Sequence, residues 1–239
     1  GSVVITVVLA DPPVIVTQPG GDAVEYLVST LAGSGIRGSA DGPGADAQFS
    51  DPPGVAVDGS GNVYVGDRAN AKIRKITPDG VVTTLAGRVA NSGSADGTGV
   101  DAQFHYPSGV AVDGSGNVYV ADRQNHKIRK ITPDGVVTTL AGSGKRGSAD
   151  GPGVDAQFWL PVGVAVDGSG NVYVADSSNN KIRKITPDGV VTTLAGSGTE
   201  GSADGTGTEA QFHHPEGVAV DSSGILYVAD SRNRKIRKI

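Results

Sequence analysis

The sequence predicts an all-β protein in which four copies of a four-stranded antiparallel sheet surround an axis as the blades of a β-propeller. The first observation behind this prediction is a repeat, which has to be recognised before any other feature is interpreted. The segment at 54–65 reads Gly-Val-Ala-Val-Asp-Gly-Ser-Gly-Asn-Val-Tyr-Val, and it returns unchanged at 109 and 163 and in a looser form at 217. The second observation is that each repeat contains short runs rich in β-branched residues, with turn residues between them. These runs are apolar on both faces, so each sheet needs a neighbour on both sides.

The second repeat serves as the model for the strands. Its predicted strands are residues 109–113, 117–121, 127–131 and 136–141. Gly114-Ser-Gly116 is a turn signal between the first two strands, a polar turn follows at 122–125, and Pro133-Asp-Gly135 separates the last two. In the last of these turns Pro presets φ, Asp bonds to the backbone and Gly tolerates positive φ. Short strands joined in this way form one antiparallel meander.

A loop of about twenty residues then leads to the next repeat, and a loop of this length usually has a function or packing of its own. It carries the pattern Ser-Ala-Asp-Gly-(Pro/Thr)-Gly-x-(Asp/Glu)-Ala-Gln-Phe in each repeat. The loops contain all the phenylalanines of the chain, Phe49, Phe104, Phe158 and Phe212. We expect each of them to pack in the groove between neighbouring sheets.

The two ends of the chain carry complementary parts of the repeat. The chain stops at Ile239, after the third strand of the last repeat, and 27–33 has the pattern of a fourth strand. We expect this N-terminal strand to complete the last blade and close a ring. Residues 26–239 are therefore predicted to form the propeller, preceded by an extension over residues 1–25. That extension begins with Gly1-Ser2, which looks like a tag remnant, and residues 5–19 resemble the junction between bacterial immunoglobulin-like surface domains.

Composition limits the function classes. The formal net charge is −5 and acidic residues are spread along every repeat, which argues against a nucleic-acid partner. The chain has no cysteine, which excludes disulfides and thiolate metal sites. No apolar run reaches membrane length and no signal peptide is visible, so we predict no membrane association.

The motifs Gly-Val-Ala-Val-Asp, Asn-Val-Tyr-Val-Ala-Asp and Lys-Ile-Arg-Lys-Ile follow one another in the repeats of 27–239 and resemble NHL repeats. The resemblance implies a β-propeller. Its known members include RNA-binding modules, protein-interaction modules, extracellular bacterial sensor domains and lyase- or lactonase-like enzymes, so it does not select a function. An extracellular or cell-surface bacterial origin is our expectation for this chain.

The number of repeats differs from what the resemblance implies, which is about six blades. Three arrangements stay open: a closed four-bladed ring, two chains joined head to tail as an eight-bladed ring, and a piece of a larger propeller. We favour the eight-bladed homodimer. The inner strands are narrow, and flat sheets of this kind fit poorly into the wide wedge of a four-bladed ring. An open arc of four blades would expose two sheet faces. A closed cyclic interface covers both faces of every blade.

The turns that begin at Asp58, Asp113 and Asp167 read Asp-Gly-Ser-Gly-Asn. Oxygen-bearing side chains at alternate positions are typical of calcium loops, but no glutamate follows where a bidentate ligand is needed. A hairpin turn in which the Asp side chain accepts backbone hydrogen bonds explains the same residues, and we favour this interpretation.

Two further polar patterns recur in every repeat and are predicted to be structural. The first consists of the pairs Asp67–Asn70, Asp122–Asn125, Asp176–Asn179 and Asp230–Asn233. We expect their side-chain oxygens to cap N–H groups in the turn before the third strand. The second consists of Arg74, Arg129, Arg183 and Arg237 on the third strands. We expect these arginines to cover blade edges and pair with Asp rather than contact RNA.

Variation between repeats is concentrated just before the first strand, at Ser50-Asp51, His105-Tyr106, Trp159-Leu160 and His213-His214. We predict a ligand-facing rim formed by His105, Tyr106, Trp159, His213 and His214, because aromatic and imidazole groups on a rigid face suit recognition. Simple variation among copies is the alternative. His105 and His213 would face each other in a four-bladed ring and could bind Zn²⁺ or Ni²⁺. No carboxylate stands at a matching position, so no metal site is predicted.

Two other sets of positions also vary. One comprises Arg68-Ala69, Arg123-Gln124, Ser177-Ser178 and Ser231-Arg232, with Ala71, His126, Asn180 and Arg234. The other comprises Ile36-Arg37, Val89-Ala90, Lys145-Arg146 and Thr199-Glu200. A binding scaffold and a recent duplication with relaxed loops both predict variation of this kind.

We therefore predict a non-enzymatic scaffold or recognition module built from recently amplified or engineered repeats, with no catalytic residues, metal or cofactor. Its expected partners are a second copy of the chain, or none for a closed monomer, and a protein or glycan ligand at the rim. A metal-dependent lyase or lactonase-like enzyme is one alternative, but it would need channel-lining ligands that differ between blades. An RNA-binding module is the other, and it would need a basic face.

Overall fold

The computed structural model describes residues 27–90 and 92–239. The expected extension, residues 1–25, lies outside the described residues. The strands of the described part are arranged in four antiparallel sheets, each an up-and-down meander. The predicted all-β architecture of propeller blades is thereby confirmed.

The strands have the following bounds. The first sheet contains β1 (Gly54–Val57), β2 (Val63–Asp67), β3 (Lys72–Ile76) and β4 (Val82–Gly87). The second contains β5 (Gly97–Thr98), β6 (Pro107–Val112), β7 (Val118–Asp122), β8 (Lys127–Ile131) and β9 (Val136–Ala141). The third contains β10 (Val164–Val166), β11 (Val172–Asp176), β12 (Lys181–Ile185) and β13 (Val191–Ala195). The fourth contains β14 (Pro215–Val220), β15 (Leu226–Asp230) and β16 (Lys235–Lys238).

Short 3₁₀ helices occupy the polar turn before each third strand and two of the long loops. They span Arg68–Asn70, Gly99–Asp101, Arg123–Asn125, Ser177–Asn179, Gly207–Glu209 and Ser231–Asn233. The four predicted strands of the second repeat match β6 to β9 to within two residues at each end.

The Asp-Gly-Ser-Gly-Asn turn adopts the hairpin geometry that we favoured. Asp113 Oδ1 accepts hydrogen bonds from the backbone N–H groups of Ser115 and Asn117, both at 2.9 Å. Its Oδ2 accepts from Asn117 Nδ2 and from the Tyr119 hydroxyl at 3.0 Å. Burial acts to raise the pKa of Asp113, but these hydrogen bonds outweigh it and leave the pKa below its ordinary value. Both carboxylate oxygens therefore serve to hold the turn against the second strand.

Three of the four loop phenylalanines pack between sheets, as expected, whereas Phe49 is partly buried against the first sheet alone. Phe104 is fully buried in a cluster that joins Ile73 and Ala86 of the first sheet to Val118 and Ile131 of the second. Phe158 lies in the cluster between the second and third sheets, and Phe212 in the one between the third and fourth. Each of these loops thus supplies an aromatic side chain that fills the space between two flat sheets of Val and Ile.

The first strands of the four repeats lie side by side and line a concavity of about 540 Å³. Their backbones approach closely at glycine. A Cβ at Gly109 would lie 2.5 Å from the carbonyl oxygen of Val162 in the next sheet, so any larger residue would push the sheets apart. Gly54 and Gly163 meet the backbone of the following sheet in the same way. Close approach of this kind brings the inner strands together near the axis.

The ring is not closed by the N-terminal segment of the same chain, so the expectation that 27–33 completes the last blade is wrong for a single chain. The last sheet has three strands, β14, β15 and β16. Gly33 N donates to Gly44 O and Ser34 N to Ala47 O, both at 2.8 Å, and these bonds hold the segment beside the first sheet. It therefore does not reach β16.

Two sheet faces remain uncovered as a result. Val55 on β1 is 68% exposed, whereas its counterparts Val110 and Val164 are 6% and 7% exposed. Ile236 on β16 is 75% exposed, although the equivalent isoleucines of the other sheets, Ile73, Ile128 and Ile182, are fully buried. Over the described residues, the first and last sheets each present to solvent a face that is buried at every internal junction.

Candidate functional site

The variable residues before each first strand are held by a buried carboxylate. Asp122 Oδ1 accepts the backbone N–H of His105 at 2.8 Å, and its Oδ2 accepts from Asn125 Nδ2 at 2.7 Å and from Arg129 at 2.8 Å. The equivalent backbone bonds to Asp67, Asp176 and Asp230 fix Ser50, Trp159 and His213. We had placed these Asp oxygens in the turn before the third strand. They instead reach across to the first residue of each variable pair, so these four residues are held by the same rigid frame.

The arginine of each third strand completes this frame. Arg129 is fully buried, and besides Asp122 it donates to the carbonyl oxygens of Gln103 and Ala95 and to Asp96 Oδ1 at 2.6 Å. Its guanidinium lies 5.2 Å over the ring of Phe104, within the range of a cation–π contact. Arg74, Arg183 and Arg237 make the same contacts. The expected pairing with Asp is confirmed, but the expected position on blade edges is wrong, because the long loop folds over the arginine and supplies its acceptors.

Burial raises the pKa of Asp122, and it raises the pKa of Asp176 to about 6, although hydrogen bonds and the neighbouring guanidinium act in the opposite direction. A buried carboxylate with a raised pKa is a common feature of active sites. The same network is present in all four repeats, however, and its oxygens are taken up by fixed donors. We therefore attribute it to stability of the frame.

The second variable residue of each pair has a left-handed backbone. The φ angles are 58° at Asp51, 56° at Tyr106, 50° at Leu160 and 48° at His214. This turn aims the residue at the preceding sheet: His214 N donates to Asn180 Oδ1 at 2.9 Å, and Leu160 N to His126 Nδ1 at 3.2 Å. Positions from two separate variable sets of the sequence thus meet across the second and third junctions.

A third variable residue comes from the long loop, thirteen positions before the first. Arg37 Nε donates to Ser50 Oγ at 2.8 Å, and the Arg146 guanidinium lies 5.8 Å over Trp159. In the fourth repeat Glu200 Oε2 is 3.4 Å from His213 Nε2. A parallel β-bridge joins each of these loop residues to the phenylalanine that precedes its partner: Arg37 to Phe49, Arg146 to Phe158 and Glu200 to Phe212.

These pairs are not evident from the sequence. In the sequence analysis Ala90 is matched with Arg37, whereas in the structure Ser92 takes the place of Arg37, because the second repeat is one residue longer in this loop. Gly93 N donates to Phe104 O as Gly201 N does to Phe212 O. The loop residue always lies thirteen positions before the first residue of the pair, and this constant separation is the sequence signal that could have identified the contacts. We use the term variable rim for these positions, which are 37, 50 and 51, 92, 105 and 106, 146, 159 and 160, and 200, 213 and 214.

The predicted rim residues divide into separate groups. His105 contacts Tyr106, with ring centroids 5.4 Å apart, while His213 and His214 lie 5.6 Å apart in the fourth repeat. In the described part of the chain His105 and His213 make no contact with each other, so the pairing expected for a four-bladed ring is not formed.

The fourth repeat contains the carboxylate that sequence reasoning did not find. Metal-ligating atoms of Glu200, His213 and His214 all lie within 4.8 Å of one another. Burial, with Arg232 and His213 nearby, lowers the pKa of His214. The imidazole is therefore neutral at pH 7, which is the form that binds metals.

The rim is accessible. Tyr106 is 45% and Trp159 is 39% exposed, so solvent and ligands can reach both rings. A cavity of about 690 Å³ opens beside the first repeat and is lined in part by Arg37, Ser50 and Tyr106. Asp51, at its edge, forms an ion pair with Arg68. Across the part of the chain that is described, no helix has the length and apolarity needed to cross a membrane.

Comparison with known families identifies the repeat. The model of the NHL repeat matches residues 104–131, 158–185 and 212–239. Each match begins at the buried loop phenylalanine and ends with the third strand. NHL repeat-containing protein 2 of Homo sapiens is 32% identical over 250 residues, which cover 88% of this chain and 34% of that protein. The chain spans about a third or less of the length of the curated relatives that it matches.

Solved structures show the same fold. An auxiliary nutrient binding protein from Bacteroides ovatus aligns with a TM-score of 0.63 and 23% identity, covering 80% of this chain and 48% of that one. Streptogramin B lyase aligns with a TM-score of 0.58 and 16% identity, covering 80% and 52%. A binding protein and an enzyme thus share this architecture, and the likeness concerns the fold alone.

Proposed function

Because the chain belongs to the NHL-repeat β-propeller family, we propose that it is a non-enzymatic recognition scaffold whose ligand contacts the variable rim. One observation carries this proposal. The Asp–Arg–Asn frame is the same in all four repeats, while the pairs it displays differ: arginine with serine, serine with histidine, arginine with tryptophan, and glutamate with histidine. Constant support with variable display is the arrangement of a binding surface.

The exposed groups favour a glycan as the ligand. Trp159 and Tyr106 present flat apolar surfaces that suit the apolar faces of sugar rings, and His105 and Arg37 offer hydrogen bonds to hydroxyl groups. Arg146 fixes the tryptophan ring from one side. Few rotatable bonds then remain to be ordered on binding, which favours affinity.

Trp159 provides the test, because it is the only tryptophan of the chain. We expect saturable changes of its fluorescence when the protein is titrated with at least one of maltohexaose, cellohexaose and xylohexaose. Trp159→Ala should then weaken binding several-fold in calorimetry, since aromatic stacking contributes about 0.5–1.5 kcal/mol. Val136→Ala, which changes an exposed residue of an outer strand, is the control. Unchanged fluorescence with all three sugars would contradict glycan recognition, and turnover of a lactone substrate would favour the enzyme alternative.

We further propose that two chains close one eight-bladed ring. The exposed faces of the first and last sheets are the two halves of a junction that the chain already forms three times. Gly217 supports this view: a Cβ there would meet no backbone of a following sheet, unlike one at Gly109 or Gly163. A second copy placing its β1 against β14 would reproduce the internal packing.

The N-terminal segment supports the same arrangement. Gly33 and Ser34 bond to Gly44 and Ala47 as Gly142 and Ser143 bond to Gly153 and Ala156, at the same 2.8 Å. Residues 27–33 thus occupy, beside the first sheet, the place of the outer strand of a preceding blade. That blade is absent on this side, whereas the fourth sheet lacks an outer strand. A partner's 27–33 would complete it.

Charge also fits across the proposed junction. His126 and Asn180 each bond to the second rim residue of the next sheet. The equivalent residue of the last sheet is Arg234, and the residue that it would meet on a second copy is Asp51. The closing junction would therefore bring Arg234 beside the Asp51 carboxylate, which already pairs with Arg68 in its own chain.

Absolute mass measured by light scattering after size exclusion tests this assembly. One chain has a mass of 24.0 kDa, and we expect about twice this value. A mass that stays at one chain over the whole concentration range would contradict the eight-bladed ring without affecting the proposed rim, which lies within each chain.

A further inference from the structure

We propose that Glu200, His213 and His214 form a binding site for a divalent transition-metal ion, of the Zn²⁺ and Ni²⁺ class, on the rim of the fourth repeat. The site lies within one chain. It depends neither on the proposed glycan recognition nor on ring closure.

The spacing of the ligand atoms is close to what a metal requires. The distance from Glu200 Oε2 to His213 Nε2 is 3.4 Å, and ligand atoms about 2.0–2.1 Å from a tetrahedral Zn²⁺ stand about 3.3–3.4 Å apart. All three ligands lie within 4.8 Å of one another, so a side-chain rotation of the third suffices to close the set. Three protein ligands leave a fourth position for water.

The backbone that carries the ligands is fixed before any metal binds. The N–H of His213 donates to the buried Asp230 at 2.8 Å, and that of His214 donates to Asn180 at 2.9 Å. Gly201 N, next to Glu200, donates to Phe212 O at 3.2 Å. Little ordering is therefore needed on binding, and preorganisation of this kind increases affinity.

The local charge admits a cation. The charged side chains around the His214 imidazole are of both signs, since Arg232 is positive and Glu200 and Glu216 are negative. The carboxylate of Glu200 is 61% exposed and lies 3.4 Å from the imidazole of His213. Two imidazoles and one carboxylate suit Zn²⁺ and Ni²⁺ and disfavour Ca²⁺ and Mg²⁺, which take oxygen ligands.

The combination occurs in one repeat. At the same places the first repeat carries Arg37, Ser50 and Asp51, and the third carries Arg146, Trp159 and Leu160. The second carries Ser92, His105 and Tyr106. It has the first imidazole on the same frame but neither other ligand, so it serves as an internal control.

Calorimetric titration of the whole chain with ZnCl₂, repeated by absorption spectroscopy with Co²⁺, tests the proposal. The chain has four histidines and no cysteine, so competing sites are few. We expect one equivalent per chain, and we expect Glu200→Gln and His213→Gln each to weaken binding more than about tenfold. His105→Gln should leave the affinity unchanged. Absence of binding, or equal binding by Glu200→Gln, would overturn the proposal.

A transplanted site gives a second, gain-of-function test. Ser92→Glu with Tyr106→His, combined with Ala71→Asn to supply the acceptor that Asn180 provides in the fourth repeat, would place the full ligand set around His105 in the second repeat. We expect the stoichiometry to rise to two equivalents per chain. A stoichiometry that stays at one, with the protein folded, would show that these three residues on this frame do not suffice and would overturn the assignment.

Discussion

Replacing Asp122 by alanine is expected to lower the free energy of unfolding by about 3–5 kcal/mol. Asp122 and its partner Arg129 are both fully buried. Removing the carboxylate leaves a guanidinium charge without its buried counterion and the N–H of His105 without its acceptor. The amide of Asn125 loses one of its two acceptors and keeps the carbonyl oxygen of Gly93. Each unsatisfied buried donor adds to the cost. Urea denaturation followed by Trp159 fluorescence measures the change.

Asp96→Ala is the matched control, because Asp96 binds the same guanidinium from the loop and is 48% exposed. Asp96→Ala should lower the free energy of unfolding by less than about 1 kcal/mol, because water can replace the exposed carboxylate. Asp122→Asn keeps the size and an acceptor oxygen but loses the charge, and its cost should fall between the two. Equal losses for Asp122→Ala and Asp96→Ala would mean that the buried pair is not what holds the frame.

The strand pattern could be predicted from the sequence because it depends on local rules. Pro133-Asp-Gly135 favours a turn through the conformational preferences of its own residues. The β-branched runs on either side favour strands. The position of Phe104 was also predictable, since one aromatic residue in a polar loop has to be buried somewhere. The location of Arg129 was not. A basic residue in a strand is usually exposed. The carbonyl oxygens of Gln103 and Ala95 in the folded loop offset the cost of removing the Arg129 guanidinium from water.

The rim was found in part for a related reason. Trp159 and His213 stand out in the sequence because they replace one another at a single place in the repeat. Glu200 also varies between repeats, but it belongs to a different loop segment and meets His213 only through the bridge to Phe212. The failure to predict that 27–33 stays beside the first sheet has a similar origin. A repeat pattern indicates which strand a segment resembles, but not whether the blade that it would complete belongs to the same chain.

Replacing Ile236 by lysine is expected to convert the proposed dimer to single chains while leaving the fold of each chain intact. Ile236 is 75% exposed in the single chain, so the substitution should change its stability by no more than about 0.5 kcal/mol. In a closed ring the same residue would be as buried as Ile128, which is fully inaccessible. Full burial of such a side chain contributes about 1.5–3 kcal/mol.

The twofold ring would contain this contact twice, so its loss should weaken association by about 10²–10⁴-fold. The buried ammonium group would add to that effect. Light scattering over a dilution series measures the shift in mass, and urea denaturation confirms that the chain is folded. Val190→Lys adds the same charge at a residue that is 42% exposed on an outer edge, and it should leave the mass unchanged. If Ile236→Lys also retained the parent mass, the exposed face of β16 would not be the closing surface, because a lysine cannot occupy a position packed as tightly as the internal junctions without weakening it.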